Sequence, residues 1–429
     1  MNICVFGLWH LGCVTAACLA DAGYRTVGLD LDAKRVSELK AGRPPLFEPG
    51  LDSLIAKGIA SSLLNFSSDI AGLAECDLVW VAIDTPVDDE DRADVAFVTD
   101  TVEGLFVHLK DDAVLLISSQ LPAGTTRYIA QAFSAQCPGK RCHFAYSPEN
   151  LRLGNAIEIF KASERIIVGY DDEAARRRLE PLLENFTGKI VWMSIESAEM
   201  VKHGLNAFLA TSVVFANELA LICERMGADA RDVERALRLE PRIGARAYIT
   251  PGASFAGGTL ARDVMFLKEL AAQHELASPL FASVLVSNRA HEHWPVRRIV
   301  ERLGDLKERN IAMLGLAYKP GIDTLRRSSS LALCRKLAQL GAEVRAFDPA
   351  IATLPNDEFS FLTLAESLED ALAGADAAIV ATSWPELRAI TAARCIELMR
   401  TPVICDPNRL LAATFENIAA ISYLAVGRP

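Results

Sequence analysis

The stretch Pro251–Asp263, P-G-A-S-F-A-G-G-T-L-A-R-D, combines small residues with side chains that could do chemistry. Its glycines let the backbone wrap closely around a ligand. Thr259, Arg262 and Asp263 then supply a hydroxyl, a guanidinium and a carboxylate in quick succession. The same composition is typical of an ordinary Gly-rich loop that leads into a helix. The rest of the chain has to decide between the two.

Other polar residues interrupt apolar patterns. Within the long helical pattern from about Ala198 to Met226, Lys202 and Asn206 are four residues apart, so they project from one face of the helix. Such residues either find partners in the core or line a site. Pro148 disfavours helix before it, so we expect Glu149 to be displayed from a loop at a strand end. An ordinary surface carboxylate is the alternative for Glu149.

The N-terminal stretch has the order of a dinucleotide-binding βαβ unit. A strand-like run, Asn2–Phe6, meets the turn G-L-W-H-L-G at Gly7–Gly12, and after a helical pattern a second strand ends in Asp30. In such units the helix N-terminus faces the pyrophosphate and the acid binds a ribose hydroxyl. The order predicts NAD as cofactor, since an acid at the second strand end favours NAD over NADP. The alternative is a helix-cap turn that binds nothing. The predicted cofactor-binding residues of this unit are Gly7, Trp9, His10, Leu11, Gly12, Asp30 and Arg35.

Trp9 departs from this fingerprint, because it stands where the middle glycine lets the backbone approach the pyrophosphate. Either its side chain shifts the cofactor, or it points away and leaves the backbone contact intact. Thr85 and Gln120 extend the predicted cofactor site, since each lies just past the carboxyl end of a strand-like run, where ligands of open parallel sheets bind. A second α/β half starts near Arg309 without a second fingerprint, so we expect it to bind something other than a second NAD.

Composition narrows the class of protein. A chain of 429 residues exceeds a single core and predicts two or three domains. Its net charge of −11 argues against binding nucleic acid. The ten cysteines have neither C-x-x-C pairs nor zinc spacing, which favours reduced thiols in a cytoplasmic protein and no metal site. We see no signal peptide and expect no apolar run long enough to span a membrane.

Taken together, these stretches resemble the UDP-glucose/GDP-mannose dehydrogenase family over essentially the whole chain. The matching motifs, in the family's order, are R-P-P-L-F-E-P-G-L at Arg43, S-P-E-N-L-R-L-G-N-A-I at Ser147, A-E-M-V-K-H-G-L-N-A-F-L-A at Ala198, P-R-I-G at Pro241, F-A-G-G-T-L-A-R-D at Phe255 and G-L-A-Y-K-P-G-I-D-T-L-R at Gly315. Each motif alone is weak, but their order is specific.

The resemblance implies an α/β fold of two Rossmann-like doubly wound domains joined by a long central helix. The expected domains are an NAD-binding domain at 1–195, a central helical dimerisation and connector domain at 196–295, and a nucleotide-sugar-binding domain at 296–429. The family is usually dimeric through the central helix. It uses NAD to oxidise the C6 alcohol of a nucleotide sugar to a carboxylate in two hydride transfers, in polysaccharide biosynthesis. For this chain a UDP-sugar is favoured over a GDP-sugar.

The resemblance also implies residue roles. Lys202 would stabilise developing oxyanion charge, and Asn206 would hold the reacting oxygen. Glu149 would position or deprotonate water, and Asp263 would assist as an acid/base partner. Arginines would bind the sugar and the diphosphate, one of them, Arg242, from a partner subunit. The implied substrate-binding residues are Leu151, Arg152, Arg242, Phe255, Gly257 and Arg326.

The chain departs from the family pattern at the reacting centre. The family has a nucleophilic cysteine at the position of Thr259, whose thiolate attacks the aldehyde and forms the thioester needed for the second oxidation. A threonine hydroxyl is a far poorer nucleophile. The family's lysine is Arg262, counted here with the cofactor-binding residues, its S-T-x-P threonine is Gln120, and its R-E-G is Arg152-Leu153-Gly154.

Two hypotheses follow from these departures. In the first, the chain is a dehydrogenase that stops at the aldehyde or reaches the acid through an aldehyde hydrate. In the second, it is a catalytically silent homologue that binds NAD or a nucleotide sugar in a regulatory or scaffolding role.

Overall fold

The computed structural model describes residues 1–88, 92–149, 151–256, 258–325, 327–354 and 359–429. Two predicted substrate-binding residues, Gly257 and Arg326, lie outside the described residues. The chain divides into two compact units, Met1–Leu205 and Asn206–Pro429.

Strands and helices alternate along most of the chain. The strands are β1 (Asn2–Phe6), β2 (Arg25–Leu29), β3 (Leu64–Ser67), β4 (Leu78–Val81), β5 (Ala113–Ile117), β6 (Cys142–Tyr146), β7 (Ile166–Tyr170), β8 (Ile190–Met193), β9 (Asn310–Leu314), β10 (Glu343–Phe347), β11 (Thr363–Leu364), β12 (Ala377–Val380), β13 (Val403–Cys405) and β14 (Ser422–Leu424). The helices are α1 (His10–Asp21), α2 (Ala33–Lys40), α3 (Leu51–Ala60), α4 (Val95–Glu103), α5 (Thr125–Gln136), α6 (Ala156–Lys161), α7 (Glu173–Leu183), α8 (Ile195–Met226), α9 (Ala230–Leu239), α10 (Thr259–Gln273), α11 (Pro279–Glu292), α12 (Trp294–Leu303), α13 (Ser329–Gln339), α14 (Leu368–Leu372), α15 (Ala392–Leu398) and α16 (Ala412–Phe415). Short 3-10 helices span Ile70–Glu75, Phe106–His108 and Pro385–Ala389.

The first unit is built on an eight-stranded sheet in the order β3-β2-β1-β4-β5-β6-β7-β8. Its neighbouring strands run parallel except β6 and β7, which pair antiparallel. Strands β4 and β5 are buried along their whole length, since each is a short apolar run covered on both faces. The strand order reverses between β1 and β4, and the carboxyl ends of these strands therefore form the switch point where such sheets bind ligands.

The second unit carries a six-stranded sheet in the order β11-β10-β9-β12-β13-β14, and its described pairings are all parallel. Its strand order reverses between β9 and β12 in the same way. Two doubly wound α/β sheets and a long helix are the architecture expected from the resemblance. The predicted fold class is confirmed.

Helix α8 is 32 residues long and runs through the boundary between the two units. By length and composition it is apolar enough to cross a membrane, so the expectation that no apolar run reaches that length was wrong. Core helices of soluble proteins pass the same test, and 44% of its most apolar window is buried in this fold. Length alone therefore does not identify a membrane span.

One side of α8 is unusually exposed for its composition. Phe208, Phe215, Ile222 and Met226, here called the α8 stripe, are between 51% and 77% exposed. Their spacing of seven and four residues places them along one face of the helix. An exposed apolar row of this kind is typical of a protein interface.

Candidate active site

The cofactor turn, Gly7–Gly12, needs glycine at both of its ends. Gly7 has a φ of 94°, and a Cβ on it would lie 2.9 Å from backbone atoms of Ile83. A Cβ on Gly12 would lie 1.8 Å from the Gly7 carbonyl oxygen. The absence of a side chain on Gly7 lets the turn pack against the segment that follows β4, and its absence on Gly12 brings the first turn of α1 against the end of β1. The positive end of α1 is thus presented beside the carboxyl end of β1, as a pyrophosphate site requires.

Asp30 ties this turn to the end of β2. It is 6% exposed, and its Oδ2 accepts hydrogen bonds from the Leu8 N–H at 2.7 Å and from Arg35 Nη1 at 2.8 Å. Its Oδ1 accepts from the Asp32 N–H at 2.9 Å. The predicted acid therefore stands at the β2 end beside the turn, where a ribose would be bound.

Trp9 is accommodated without strain. It is the N-cap of α1 with a φ of −85°, so the backbone does not demand glycine there. Its ring packs under the Arg35 guanidinium, whose central carbon lies 5.3 Å from the ring centroid. Because Arg35 also binds Asp30, the indole is directed toward the β2 end of the site. The backbone of the turn keeps the shape that the fingerprint predicts.

Thr85 and Gln120 come together as their strand positions predict. They follow the adjacent strands β4 and β5, and the Thr85 hydroxyl donates to the Gln120 carbonyl oxygen at 2.7 Å. Thr85 is 6% exposed. Both residues therefore line the carboxyl edge of the sheet at which the cofactor turn lies.

Glu149 and Lys202 also lie together in the first unit. The Lys202 ammonium donates to the Glu149 carbonyl oxygen, and the Leu151 N–H donates to the Glu149 carboxylate. Burial raises the pKa of Glu149 above its ordinary value, although Lys202 and the Leu151 N–H oppose the rise. Lys202 is 9% exposed, so its charge is held at the site rather than in solvent. Arg152, predicted to bind substrate, is exposed.

Glu48 is a buried carboxylate whose role the sequence did not reveal. It lies in the R-P-P-L-F-E-P-G-L motif, which matches the family pattern but did not predict a role for this glutamate. It accepts hydrogen bonds from His10, on the cofactor turn, and from the Gly154 and Ala156 N–H groups. These partners are far apart along the chain, so only the folded structure reveals the connection.

In the second unit, Asn206 and Asp263 form a buried pair. Asn206 Nδ2 donates to Asp263 Oδ2, and Asp263 is 0% exposed. Thr259 is the first residue of α10 and is exposed, while the Arg262 N–H donates to the Gly258 carbonyl oxygen at 2.9 Å as the helix starts. The Asn206–Asp263 pair and the hydroxyl at the helix start thus belong to one unit, as the motif order implies.

The glycine loop that precedes α10 is held by buried amides. Asn217 Oδ1 accepts from the Gly252 N–H at 2.9 Å. Asn288 makes two bonds with Phe255, accepting from its N–H at 3.0 Å and donating to its carbonyl oxygen at 2.8 Å. His291 Nε2 donates to the Gly252 carbonyl oxygen at 2.8 Å. The described part of the loop is therefore held at Gly252 and Phe255 by side chains of α8 and α11, which an ordinary surface loop does not require.

Arg327 is a second residue that the sequence did not single out. Gly258 has a φ of 106°, and a Cβ on it would lie 2.9 Å from Arg327 Nη1. The guanidinium therefore reaches the backbone at the start of α10, next to Thr259. Arg327 directly follows Arg326, the predicted substrate-binding residue that ends the motif at Gly315, and this adjacency was its only signal in the sequence.

Known proteins match this chain along its length. Sequence profiles of the UDP-glucose/GDP-mannose dehydrogenase family match its NAD-binding domain at 1–187, its central domain at 196–290 and its UDP-binding domain at 312–413. A UDP-glucose 6-dehydrogenase of Bacillus subtilis is 33% identical, with 100% of this chain and 98% of that protein covered. The chain belongs to the UDP-glucose/GDP-mannose dehydrogenase family. It is an NAD-dependent nucleotide-sugar dehydrogenase.

A further relative and a solved structure also match the whole chain. A UDP-glucose 6-dehydrogenase of Rhizobium meliloti is 32% identical, with 100% of both proteins covered. A solved UDP-glucose dehydrogenase of the archaeon Pyrobaculum islandicum superposes with a TM-score of 0.88 at 29% identity, over 100% of this chain and 98% of that one. The family and the cofactor predicted from the sequence are both confirmed.

The residues of the turn fit the cofactor of this family. NAD supplies the hydride acceptor, while the chain supplies the glycine-lined turn, the N-terminus of α1 and the Asp30 carboxylate that would bind it. Arg242, predicted to bind substrate, is exposed and pairs with a neighbouring carboxylate. Its side chain is 88% exposed, and its Nε donates to Glu240 Oε1 at 2.7 Å.

Proposed function

We propose that this dehydrogenase oxidises the C6 alcohol of a UDP-sugar and releases the aldehyde as its main product. The alcohol loses a hydride to NAD and a proton to the site, so each sugar gives one NADH. The observation that carries the proposal is Thr259, which stands at the start of α10, in the same unit as the buried Asn206–Asp263 pair, where the family has its nucleophile.

A uridine nucleotide is supported by the relatives and by the domain match. The Bacillus subtilis and Rhizobium meliloti relatives are UDP-glucose 6-dehydrogenases, and the profile matched at 312–413 describes a UDP-binding domain. UDP-glucose is therefore the first substrate to assay.

We assign the roles of the first oxidation to charged and amide groups that the structure orders. Lys202 is held with its ammonium at the Glu149 carbonyl and is poised to stabilise negative charge on the reacting oxygen. Burial raises the pKa of the Glu149 carboxylate, which makes it a stronger base and suits it to accept a proton. Asn206, oriented by Asp263 within the second unit, is suited to donate a hydrogen bond to a substrate oxygen.

Thr259 does not supply a nucleophile for the covalent second oxidation. A thioester requires a thiolate, whereas an ordinary hydroxyl stays protonated near neutral pH without a base beside it. The four cysteines of the second unit are buried and therefore unsuited to substitute: Cys223, Cys334, Cys395 and Cys405. Burial raises the pKa of Cys334 to about 12 and that of Cys395 to about 11, so both stay protonated and inert. The aldehyde therefore leaves, or it is oxidised only slowly through its hydrate.

The test is the NADH yield per sugar. Purified protein incubated with limiting UDP-glucose and excess NAD should form about one NADH per sugar, and the Thr259→Cys variant should move the yield toward two. Thr259→Ala is the matched control and should keep the wild-type yield. Two NADH per sugar from both wild type and Thr259→Ala would contradict the proposal. Binding of NAD and UDP-glucose without turnover would support the silent-homologue hypothesis instead.

We also propose that the chain is a homodimer through the α8 stripe and that it works in the cytoplasm. The exposed α8 stripe supports the homodimer, since an apolar surface is stabilised by packing against another apolar surface, here the same stripe of a second copy. The ten free cysteines support the second, because free thiols are typical of a reducing compartment. The exposure of Arg242 leaves its side chain accessible to bind substrate in the site of a partner subunit.

A further inference from the structure

Glu48 connects the cofactor turn to the segment at 151–156. It lies in the segment between α2 and α3 and is 3% exposed. Its Oε2 accepts from His10 Nε2 at 2.8 Å and from the Gly154 N–H at 2.7 Å, and its Oε1 accepts from the Ala156 N–H at 2.7 Å. Both carboxylate oxygens are thus in use, and three donors compensate the buried charge.

The partners of Glu48 belong to different parts of the site. His10 is the first residue of α1 and lies on the cofactor turn. Gly154 lies in the segment 151–155, called here the substrate loop because it holds the predicted substrate-binding residues Leu151 and Arg152. Ala156 follows this loop and is the first residue of α6. One side chain therefore joins the turn predicted to bind the pyrophosphate to the loop predicted to bind the sugar nucleotide.

The chemistry of this junction requires a carboxylate. An ionised carboxylate only accepts hydrogen bonds, and all three partners present donors. An amide of the same size has one acceptor oxygen and one donor nitrogen, so a glutamine would turn an N–H toward at least one N–H of the junction. A buried backbone N–H that faces another donor destabilises the fold, because its hydrogen bond is lost. The conformations of the loop and the turn therefore depend on the Glu48 carboxylate.

We propose that Glu48 is a positioning residue that couples cofactor binding at the turn to the conformation of the substrate loop. A cofactor on the turn fixes α1 and His10, His10 holds the Glu48 carboxylate, and the carboxylate holds the two N–H groups at the end of the loop. The sugar-binding role of the loop rests on the proposed function, whereas the coupling itself requires only NAD.

Hydrogen–deuterium exchange tests the coupling without turnover. In the wild type, saturating NAD should slow exchange in peptides that cover the substrate loop by at least about fivefold, which corresponds to a modest coupling free energy. Glu48→Gln should lose this effect and should raise the Kd for NAD about tenfold. Asp376→Asn is the matched control, because Asp376 is also a fully buried carboxylate that accepts from a backbone N–H, at the amino end of β12. It should leave the effect of NAD unchanged.

A second variant keeps the test decisive if Glu48→Gln folds poorly. His10→Phe removes the hydrogen bond between the cofactor turn and Glu48 and leaves both backbone bonds of Glu48 in place. Because His10 is also a predicted cofactor-binding residue, exchange is measured at an NAD concentration that saturates the variant. We expect it to retain the exchange protection of the loop without NAD and to lose the increase that NAD causes. NAD-induced protection that persists in both variants, or that is absent from the wild type, would overturn the coupling.

Kinetics separate this inference from the proposed function. In the active enzyme, Glu48→Gln should raise the KM for UDP-glucose by a larger factor than it lowers kcat, since the reacting groups Lys202 and Asn206 are untouched. If the wild type binds NAD and protects its loop but oxidises no sugar, the proposed function fails and the coupling stands. A Glu48→Gln variant with a normal KM and a lower kcat would contradict the positioning role.

Discussion

Gly12→Ala should disable the cofactor turn, because the structure leaves no room for one methyl group. The added Cβ would lie 1.8 Å from the Gly7 carbonyl oxygen, whereas Cβ contacts under 3.0 Å are essentially never seen. The start of α1 must therefore move by more than about 1 Å from the end of β1, or the turn must open. Overpacking of this kind costs roughly 1–3 kcal/mol.

Two measurements follow from that displacement. For a unit of this size a loss of about 1–3 kcal/mol lowers the melting temperature by roughly 2–12 °C. The displaced helix N-terminus should raise the Kd for NAD by at least about tenfold, or about 1.4 kcal/mol, measured by isothermal titration calorimetry below the melting temperature of the variant. Affinity and melting are read on the same sample, so loss of binding is separated from loss of fold.

Gly188→Ala is the control for this prediction. A Cβ on Gly188 would meet no neighbouring atom within 4 Å, and this glycine does not have a positive φ, so alanine there should leave the melting temperature and the Kd for NAD nearly unchanged. If Gly12→Ala bound NAD within about twofold of the wild type and melted within about 1 °C of it, the packing argument for the turn would be refuted.

Two further predictions concern other parts of the chain. His143 lies between two carboxylates, with Nδ1 2.6 Å from Asp172 and Nε2 3.0 Å from Asp112. Burial opposes charging of the ring, but these hydrogen bonds outweigh it and raise the pKa of His143 above 6.5. The charged ring therefore contributes stability that is present below about pH 6.5 and is lost as pH rises through the raised pKa. The difference in urea midpoint between wild type and His143→Gln should be larger at pH 6 than at pH 9. A difference that grows toward pH 9 would contradict this prediction. Phe215→Asp should weaken the proposed dimer at least about tenfold, measured by sedimentation velocity. Phe97→Asp, at a 48% exposed position on α4, should leave the dimer intact. Equal dissociation by both variants would exclude the α8 stripe as the dimer interface.

Part of the site could be read from residue order because its determinants are local. The cofactor turn, α1 and Asp30 follow one another within a single βαβ unit, and the glycine positions are dictated by close approach of backbone segments. The neighbourhood of Thr85 and Gln120 was predictable for the same reason, since the carboxyl ends of adjacent parallel strands meet at one edge. Asp263 and Asn206 required the family resemblance, because nothing in their spacing relates them.

Other features follow from contacts between distant residues and were not predictable. Trp9 could have pointed either way until the Arg35 guanidinium was seen to pack on its ring. The length and composition of α8 suit a membrane as well as a core, and only packing places much of it inside the protein.

The sequence by itself determined the fold class, the family and the use of NAD, because periodicity, glycine positions and motif order are properties of neighbouring residues. It also showed that a threonine stands where a nucleophile is expected. Only the tertiary structure decided that Asn217 and Asn288 hold the glycine loop and that Glu48 joins the cofactor turn to the substrate loop. The physical reason is that a buried polar group must find partners, and in a folded chain those partners come from wherever the packing brings a donor or acceptor within reach.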